Sequence, residues 1–377
     1  MTIKHIILTG GGPALGLLEY GILKQLSIKN ILKYENIKSL YCTSIGSIIG
    51  LIYILNYDWE WIDDFLIKRP WEKLINFDTN EYLNIFNNKG LLDEQFILKC
   101  FKPLLLGKDL SINITLKELY DYSKINFYLY TTDLINFDKV ELSHKTYPDL
   151  SVIKAIYMSC CIPLLFKPVY YNDNYYLDGG IMINNPINEC IKNENCDFEE
   201  IIVLENNKKN PIDCSNNFYI NNNYTNKIKD NIDFNSLNLF NYIFLIIKKI
   251  VTKLSTLEFQ NNIKVIYTIN CSLSYESIDL KYWYYVTKNF EERIYLINLG
   301  EKCVNNFILD NSNNFILDNS NNFILDNSNN FILDNSNNFI LDNSNNFILD
   351  NSNNFILDNS NNFILDNSNN FILEIGR

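Results

Sequence analysis

Ser44 lies in Cys42-Thr43-Ser44-Ile45-Gly46, close to the GxSxG pattern that sets a nucleophilic serine on a sharp strand-to-helix turn. Strand and helix cross closely at such a turn, so the positions two before and two after the serine must be small. Gly46 keeps that rule, and Cys42, though small, departs from glycine. Taken alone, the residues also fit a serine that merely caps a buried helix. Gly10-Gly11-Gly12 follows a short apolar run. Bare backbone N–H groups there can face an anion, as the oxyanion of acyl transfer requires. A dinucleotide loop of the GxGxxG type would need glycine at position 15, which is Leu15, and a plain structural turn is the other alternative. Asp178, in Tyr176-Leu177-Asp178-Gly179-Gly180, ends an apolar strand. Beside two glycines its carboxylate could approach another loop, although Asp-Gly is also a common turn. The chain has two histidines, His5 in the first strand and His144 in a surface turn. A Ser–His–Asp triad would have to use one of them. A Ser–Asp pair needs neither, because the carboxylate takes the serine proton directly.

The elements that must position these groups can be read from apolar periodicity. Ile3–Leu8 is a buried strand running into the glycines, and Leu15–Leu26 has helical spacing. Ser39–Cys42 is a second strand, followed by an apolar helix to about Leu55. Two strand–loop–helix units at the start predict an α/β fold with a largely parallel sheet. Beyond them, Asp58–Leu105 reads as mainly helical, Thr115–Ser123 and Ser151–Cys160 as helices, and Phe290–Cys303 as a closing helix. Further strands are expected at Asn126–Thr131, Val140–Ser143, Tyr175–Asp178, Glu200–Leu204 and Lys264–Ile269. The stretch from about 206 to 235, rich in Asn, Lys and Ser, reads as a mobile surface insertion.

From Asn305 the octapeptide NNFILDNS repeats to the end, which divides the chain into a domain over 1–304 and a tail over 305–377. On a helix each copy would turn by roughly 80° relative to the last, so no constant apolar face forms. On a strand the even period keeps Phe and Leu on one face, but over a run of only three apolar residues. The expectation is an unstructured tail, with irregular helix or a stacked β array as alternatives and no catalytic role.

The formal net charge is -12, of which the tail contributes -8, leaving about -4 for the domain. Such a balance argues against nucleic-acid binding and against docking on acidic membranes by charge alone. The nine cysteines are scattered without CxxC spacing, which suits a reducing compartment and implies neither a disulfide framework nor a zinc site. The N-terminal apolar stretch is too short for a signal peptide, and no apolar run approaches the roughly 20 residues that span a bilayer. A cytoplasmic or otherwise intracellular protein, free or peripheral at membranes, is expected.

The order of motifs resembles the patatin-like phospholipases. The likeness runs from about Ile3 to Cys303. It includes Thr115-Leu116-Lys117-Glu118-Leu119-Tyr120, Tyr147-Pro148-Asp149-Leu150, the run from Ser159 through Pro163 to Val169, and Asp178-Gly179-Gly180 leading to Asn184-Asn185-Pro186. The resemblance implies a three-layer α/β fold and hydrolysis of lipid acyl esters without a metal or organic cofactor. Ser44 would be the nucleophile, Asp178 the general base and then acid, and Gly10, Gly11 and Gly12 the oxyanion donors. Gly46, Gly179 and Gly180 would shape the site, and a lipid or membrane surface would be the substrate. Cys42 stands where the family usually has glycine. The loop Gly12-Pro13-Ala14-Leu15-Gly16 is one residue longer than usual and lacks the customary Arg or Lys. A catalytically weak or inactive relative that binds lipid or a protein partner is the alternative.

Overall fold

A computed structural model describes residues 2–75, 87–205, 242–243, 245–247, 249–250, 253, 267–271, 273, 280–310 and the eight strands of the repeat. The Asn-rich insertion expected at about 206–235 lies outside the described residues. The first two strands, β1 (His5–Leu8) and β2 (Ser39–Thr43), each lead into a helix, α1 (Gly12–Ile28) and α2 (Ile45–Ile54). Helix α3 (Trp59–Lys68), strand β3 (Gly90–Leu92) and helix α4 (Glu94–Leu106) follow. The middle of the domain runs α5 (Leu116–Ser123), β4 (Asn126–Asp133), β5 (Asp138–Leu142) and α6 (Val152–Ser159). Next come β6 (Leu164–Phe166), β7 (Val169–Tyr171), β8 (Asn174–Asp178) and α7 (Ile187–Glu194). Strands β9 (Ile201–Glu205) and β10 (Tyr267–Asn270) and helices α8 (Leu280–Lys288) and α9 (Phe290–Asp310) complete the domain.

The expected α/β class is the observed one. Eight strands form the main sheet in the order β10-β9-β1-β2-β4-β8-β7, with β5 pairing β4. The pairings from β10 through β4 are all parallel, and β5, β7 and β8 add antiparallel pairings. Alternation along the central strands divides the interior in two, as the two-residue period of a strand requires. Ile6, Leu8, Leu40, Cys42, Phe127, Leu129, Ile202 and Leu204 enter the large core shared with most helices. Ile7, Tyr41, Tyr128, Tyr130, Ile201 and Val203 face a smaller core with Cys190 of α7. Helices on both faces of one sheet give the three layers. On the smaller side Tyr41 stacks on Tyr128 with ring centroids 4.4 Å apart.

Register along β4 determines where the chemistry can sit. Thr43 is opposite Tyr130, and Asp178 is opposite the next residue, Thr131. Strand β5 covers Leu129–Asp133 and so must lie on the other edge of β4. Strands β2 and β8 therefore share one edge, and β8 ends where β2 ends. Residues 134 positions apart in sequence are thereby made neighbours.

The closing helix takes in the start of the first octapeptide copy. Helix α9 runs to Asp310, seven residues beyond the expected Cys303, and buries Phe307 and Ile308 in the large core. The register of the last helix happens to place this one copy's apolar residues inward. The later copies, expected to lack regular structure, form strands from Ile316–Asp318 to Asn370–Glu374. These pair in parallel, each residue opposite its counterpart 16 positions on, in two four-stranded sheets of alternate copies. A strict even repeat permits such stacking, because every copy offers the same register to the next but one. Truncation separates the two parts. Removing 311–377 is expected to leave the domain's thermal unfolding unchanged. Removing 305–377, with Phe307 and Ile308, should destabilise it by on the order of 5 kcal/mol. Thermal denaturation of both proteins is the check, and equal midpoints would place the boundary back at residue 304.

Candidate active site

Ser44 is the residue between β2 and α2, with φ 52 and ψ -124. A positive φ is uncommon for a non-glycine side chain and is sustained here by the surrounding bonds. The Ser44 N–H donates to Ser159 Oγ (3.0 Å), and the Ser44 carbonyl accepts from the Cys160 thiol (3.0 Å). Ser47, on the first turn of α2, donates its hydroxyl to Ser159 Oγ as well (2.8 Å). The end of α6 thus fastens the turn from below.

Two glycines make the crossing possible. A Cβ on Gly46 would lie 2.6 Å from the Leu8 carbonyl oxygen, so the small residue expected at that position is sterically required. Cys42 is accommodated by Gly50, one turn further along α2, where a Cβ would come within 2.8 Å of the Cys42 Sγ. Room lost at position 42 is recovered at position 50, which the pentapeptide alone does not reveal.

The Ser44 hydroxyl donates to Asp178 Oδ2 at 2.6 Å, and both residues are buried. Asp178 Oδ1 accepts from the Gly180 N–H at 2.8 Å. A Cβ on Gly179 would meet the Tyr130 carbonyl oxygen at 2.2 Å, so this turn must pass bare against β4. Thr132 Oγ1 donates to the Asp178 carbonyl (2.8 Å), Thr131 Oγ1 to that of Leu177 (2.7 Å), and Thr43 Oγ1 to that of Ile183 (3.1 Å). Three threonine hydroxyls hold the strand end and the loop after it. Burial pushes the Asp178 carboxyl up to about 6, against the opposing pull of the Ser44 and Gly180 bonds.

The glycine loop closes the other side. Gly10 donates its N–H to Asn184 Oδ1 (3.1 Å), which ties the loop to the segment after Asp178. Of the three glycines expected to act as donors, Gly10 therefore has its N–H directed elsewhere. Gly11 is the residue before α1 and Gly12 its first residue, where N–H groups lack intrahelical acceptors. Gly12 has φ +80 and lies against the Trp283 indole, whose ring would be 2.1 Å from a Cβ there. Asn184 and Trp283 were not singled out from sequence. Asn184 stands in the quoted Asn-Asn-Pro segment, whereas nothing local marks Trp283.

Behind the loop, Glu19 of α1 is fully buried and accepts from the Thr9 N–H (3.0 Å). Burial raises its carboxyl well above the usual range, which disfavours the charged form. Thr9 immediately precedes the glycines, and Glu19 fixes its backbone. Glu19→Gln, which keeps an acceptor, should preserve stability. Glu19→Ala leaves the Thr9 N–H buried without a partner and should cost about 1–3 kcal/mol in chemical denaturation. Equal losses in both variants would mean that the carboxyl's own proton is needed.

Neither histidine reaches Ser44. His5 pairs with Ser39 at the far end of the strands, Nδ1 lying 2.7 Å from Ser39 Oγ. His144 stacks on Tyr120 with ring centroids 3.9 Å apart. Among the described residues, one group of potential metal donors comes together within 4.8 Å: His5, Cys196 and Glu200, with Glu200 also ion-paired to Lys4. It lies at the end of β1 remote from Ser44. No described helix is long and apolar enough to cross a membrane.

Residues 6–191 match the family model for patatin-like phospholipases. The probable lipid hydrolase 463L of Invertebrate iridescent virus 6 is 29% identical over 192 residues, covering 51% of this chain and 64% of that protein. The uncharacterized protein R571 of Acanthamoeba polyphaga mimivirus is 26% identical over 186 residues, covering 49% of this chain and 60% of that protein. The chain thus spans less than two thirds of the length of either relative. Among solved structures, VipD from Legionella pneumophila superposes with a TM-score of 0.41 at 14% identity, over 80% of this chain and 67% of that one. A largely parallel sheet with helices on both faces, a serine at the strand-to-helix turn after its second strand and a glycine loop after its first define the class. Residues 6–191 belong to the patatin-like phospholipase family.

Proposed function

We propose that this chain hydrolyses acyl esters of lipids through a Ser44–Asp178 dyad. The observation that carries the reading is the 2.6 Å bond from the Ser44 hydroxyl to a buried carboxylate, with both histidines engaged elsewhere, on Ser39 and Tyr120. Asp178 accepts the proton as Ser44 Oγ attacks the ester carbonyl. Negative charge developing on the carbonyl oxygen is met by the N–H groups of Gly11 and Gly12 and by the positive end of α1. Asp178 then returns the proton to the departing alcohol, leaving the acyl group on Ser44. Water, deprotonated by Asp178, attacks the acyl carbon; the bond to Ser44 Oγ breaks as Asp178 passes that proton to the serine oxygen, which releases the fatty acid and restores the dyad.

A buried carboxyl near 6 suits both halves of this cycle. It is ionised at neutral pH, yet basic enough to hold the proton between steps. The residues supply nucleophile, base and oxyanion donors among themselves. Labelling with a fluorophosphonate tests the reading: wild type should be modified at Ser44 and Ser44→Ala should not. A folded wild-type protein that resists the probe would favour a member of the family that only binds lipid or a protein partner.

A further inference from the structure

We propose that two hairpin tips beside the dyad, Leu134–Phe137 and the Tyr170–Tyr175 pair, form a docking surface for a zwitterionic lipid bilayer. The choice of occupant rests on the acyl-hydrolase reading, but the surface itself is independent of it. Strand β4 continues past Tyr130, the partner of Thr43, for three residues beyond the end of β2 before turning. Strand β8 runs antiparallel beside it, so its start at Asn174 projects about 13 Å beyond Asp178, at roughly 3.3 Å per residue. Both tips therefore stand out from the end of the sheet that carries Ser44.

Five of the fifteen exposed large hydrophobic residues among those described sit on these tips: Leu134, Ile135, Phe137, Tyr170 and Tyr175. Ile135 is 63% exposed and Phe137 47%. They are held there rigidly. Asp133 accepts from the N–H groups of Ile135 (2.7 Å) and Asn136 (3.1 Å), and from the side-chain amides of Asn136 (2.7 Å) and Asn174 (2.6 Å). The Leu134 N–H donates to the Tyr175 carbonyl at 2.8 Å, which joins one tip to the other. The Tyr170 and Tyr175 rings lie 5.0 Å apart across the second hairpin. Phe137 occupies φ 51, a left-handed position that disfavours a bulky side chain. A turn fastened by a buried aspartate, yet built from Leu, Ile and Phe, presents apolar groups to whatever meets that end of the sheet.

Aliphatic and tyrosine side chains on one projecting rim match the hydrocarbon–headgroup boundary of a bilayer. Asp138 and Asp173 flank the tips, and Lys139 is paired with Glu189. Lys154, whose ammonium lies 5.3 Å from the Tyr171 ring centroid, is one cation against the two aspartates, so the tips carry no net positive charge and insertion should rest on apolar contact that is insensitive to salt.

The test uses the full chain, phosphatidylcholine vesicles and the double variant Ile135→Asp/Phe137→Asp. Co-sedimentation with vesicles should fall about 10-fold or more, since two apolar anchors are replaced by charges. Fatty-acid release from the vesicles should fall in step, while turnover of a soluble short-chain ester stays at the wild-type level, showing an intact fold and site. Wild-type binding should persist in high salt. A double variant that sediments with vesicles as wild type does would overturn the proposal and leave the tips to a protein partner. Absence of ester turnover in wild type would count against the acyl-hydrolase reading instead, with vesicle binding still deciding the role of the tips.

Discussion

Asp178→Asn is expected to remove nearly all turnover and at the same time to stabilise the protein at neutral pH. The loss follows from the proton. Asparagine fits the same space and can still meet the Ser44 hydroxyl, but it cannot accept the proton when Ser44 attacks. Loss of a positioned base is worth about 10²–10⁴-fold in rate. The gain follows from burial. The Asp178 carboxyl is raised to about 6 in the folded protein, above the roughly 3.9 of an unfolded chain. The folded state therefore binds its proton more tightly, and stability present below about pH 4 is lost as pH rises through 6. Removing the ionisable group restores about 1–3 kcal/mol at pH 7.5 and little at pH 4. Melting temperatures of wild type and variant at the two pH values, beside short-chain ester kinetics, measure both effects. A variant that is destabilised at pH 7.5 would show that the carboxylate is paired more favourably than its burial implies.

The second large effect is in the pH profile. Only ionised Asp178 can act as base, so kcat/KM should climb about tenfold per pH unit below 6 and level off above it. A histidine base would bend the profile at a similar place, so position alone does not discriminate. Variants do. His5→Gln and His144→Ala should keep most of the turnover and the same acid limb, since His5 is bonded to Ser39 and His144 is stacked on Tyr120. A profile that loses its acid limb in either histidine variant would move the base role away from Asp178.

Much of this site was legible in the sequence because its parts are local. A glycine run after a strand, a small residue two beyond a serine and an aspartate before two glycines each declare a backbone constraint within five residues. The parallel order of the first strands followed from two strand–loop–helix units. What was not legible depends on contacts between distant segments. That Cys42 can stand in place of glycine depends on Gly50 opposite it. The bond from the Gly10 N–H to Asn184 Oδ1 joins segments 174 positions apart. Phe307 and Ile308 looked like repeat because their neighbours in sequence repeat, yet the last helix carries them into the core. The short strands β3, β6 and β7 lack a run long enough to show alternation.

Fatty-acid release from vesicles of mixed phospholipid and neutral lipid, wild type against Ser44→Ala, tests the central claim most directly. Wild type should release free acyl chains, and Ser44→Ala, folded by circular dichroism, should release none above the vesicle blank. Equal release by the two proteins would contradict the assignment of Ser44 as nucleophile.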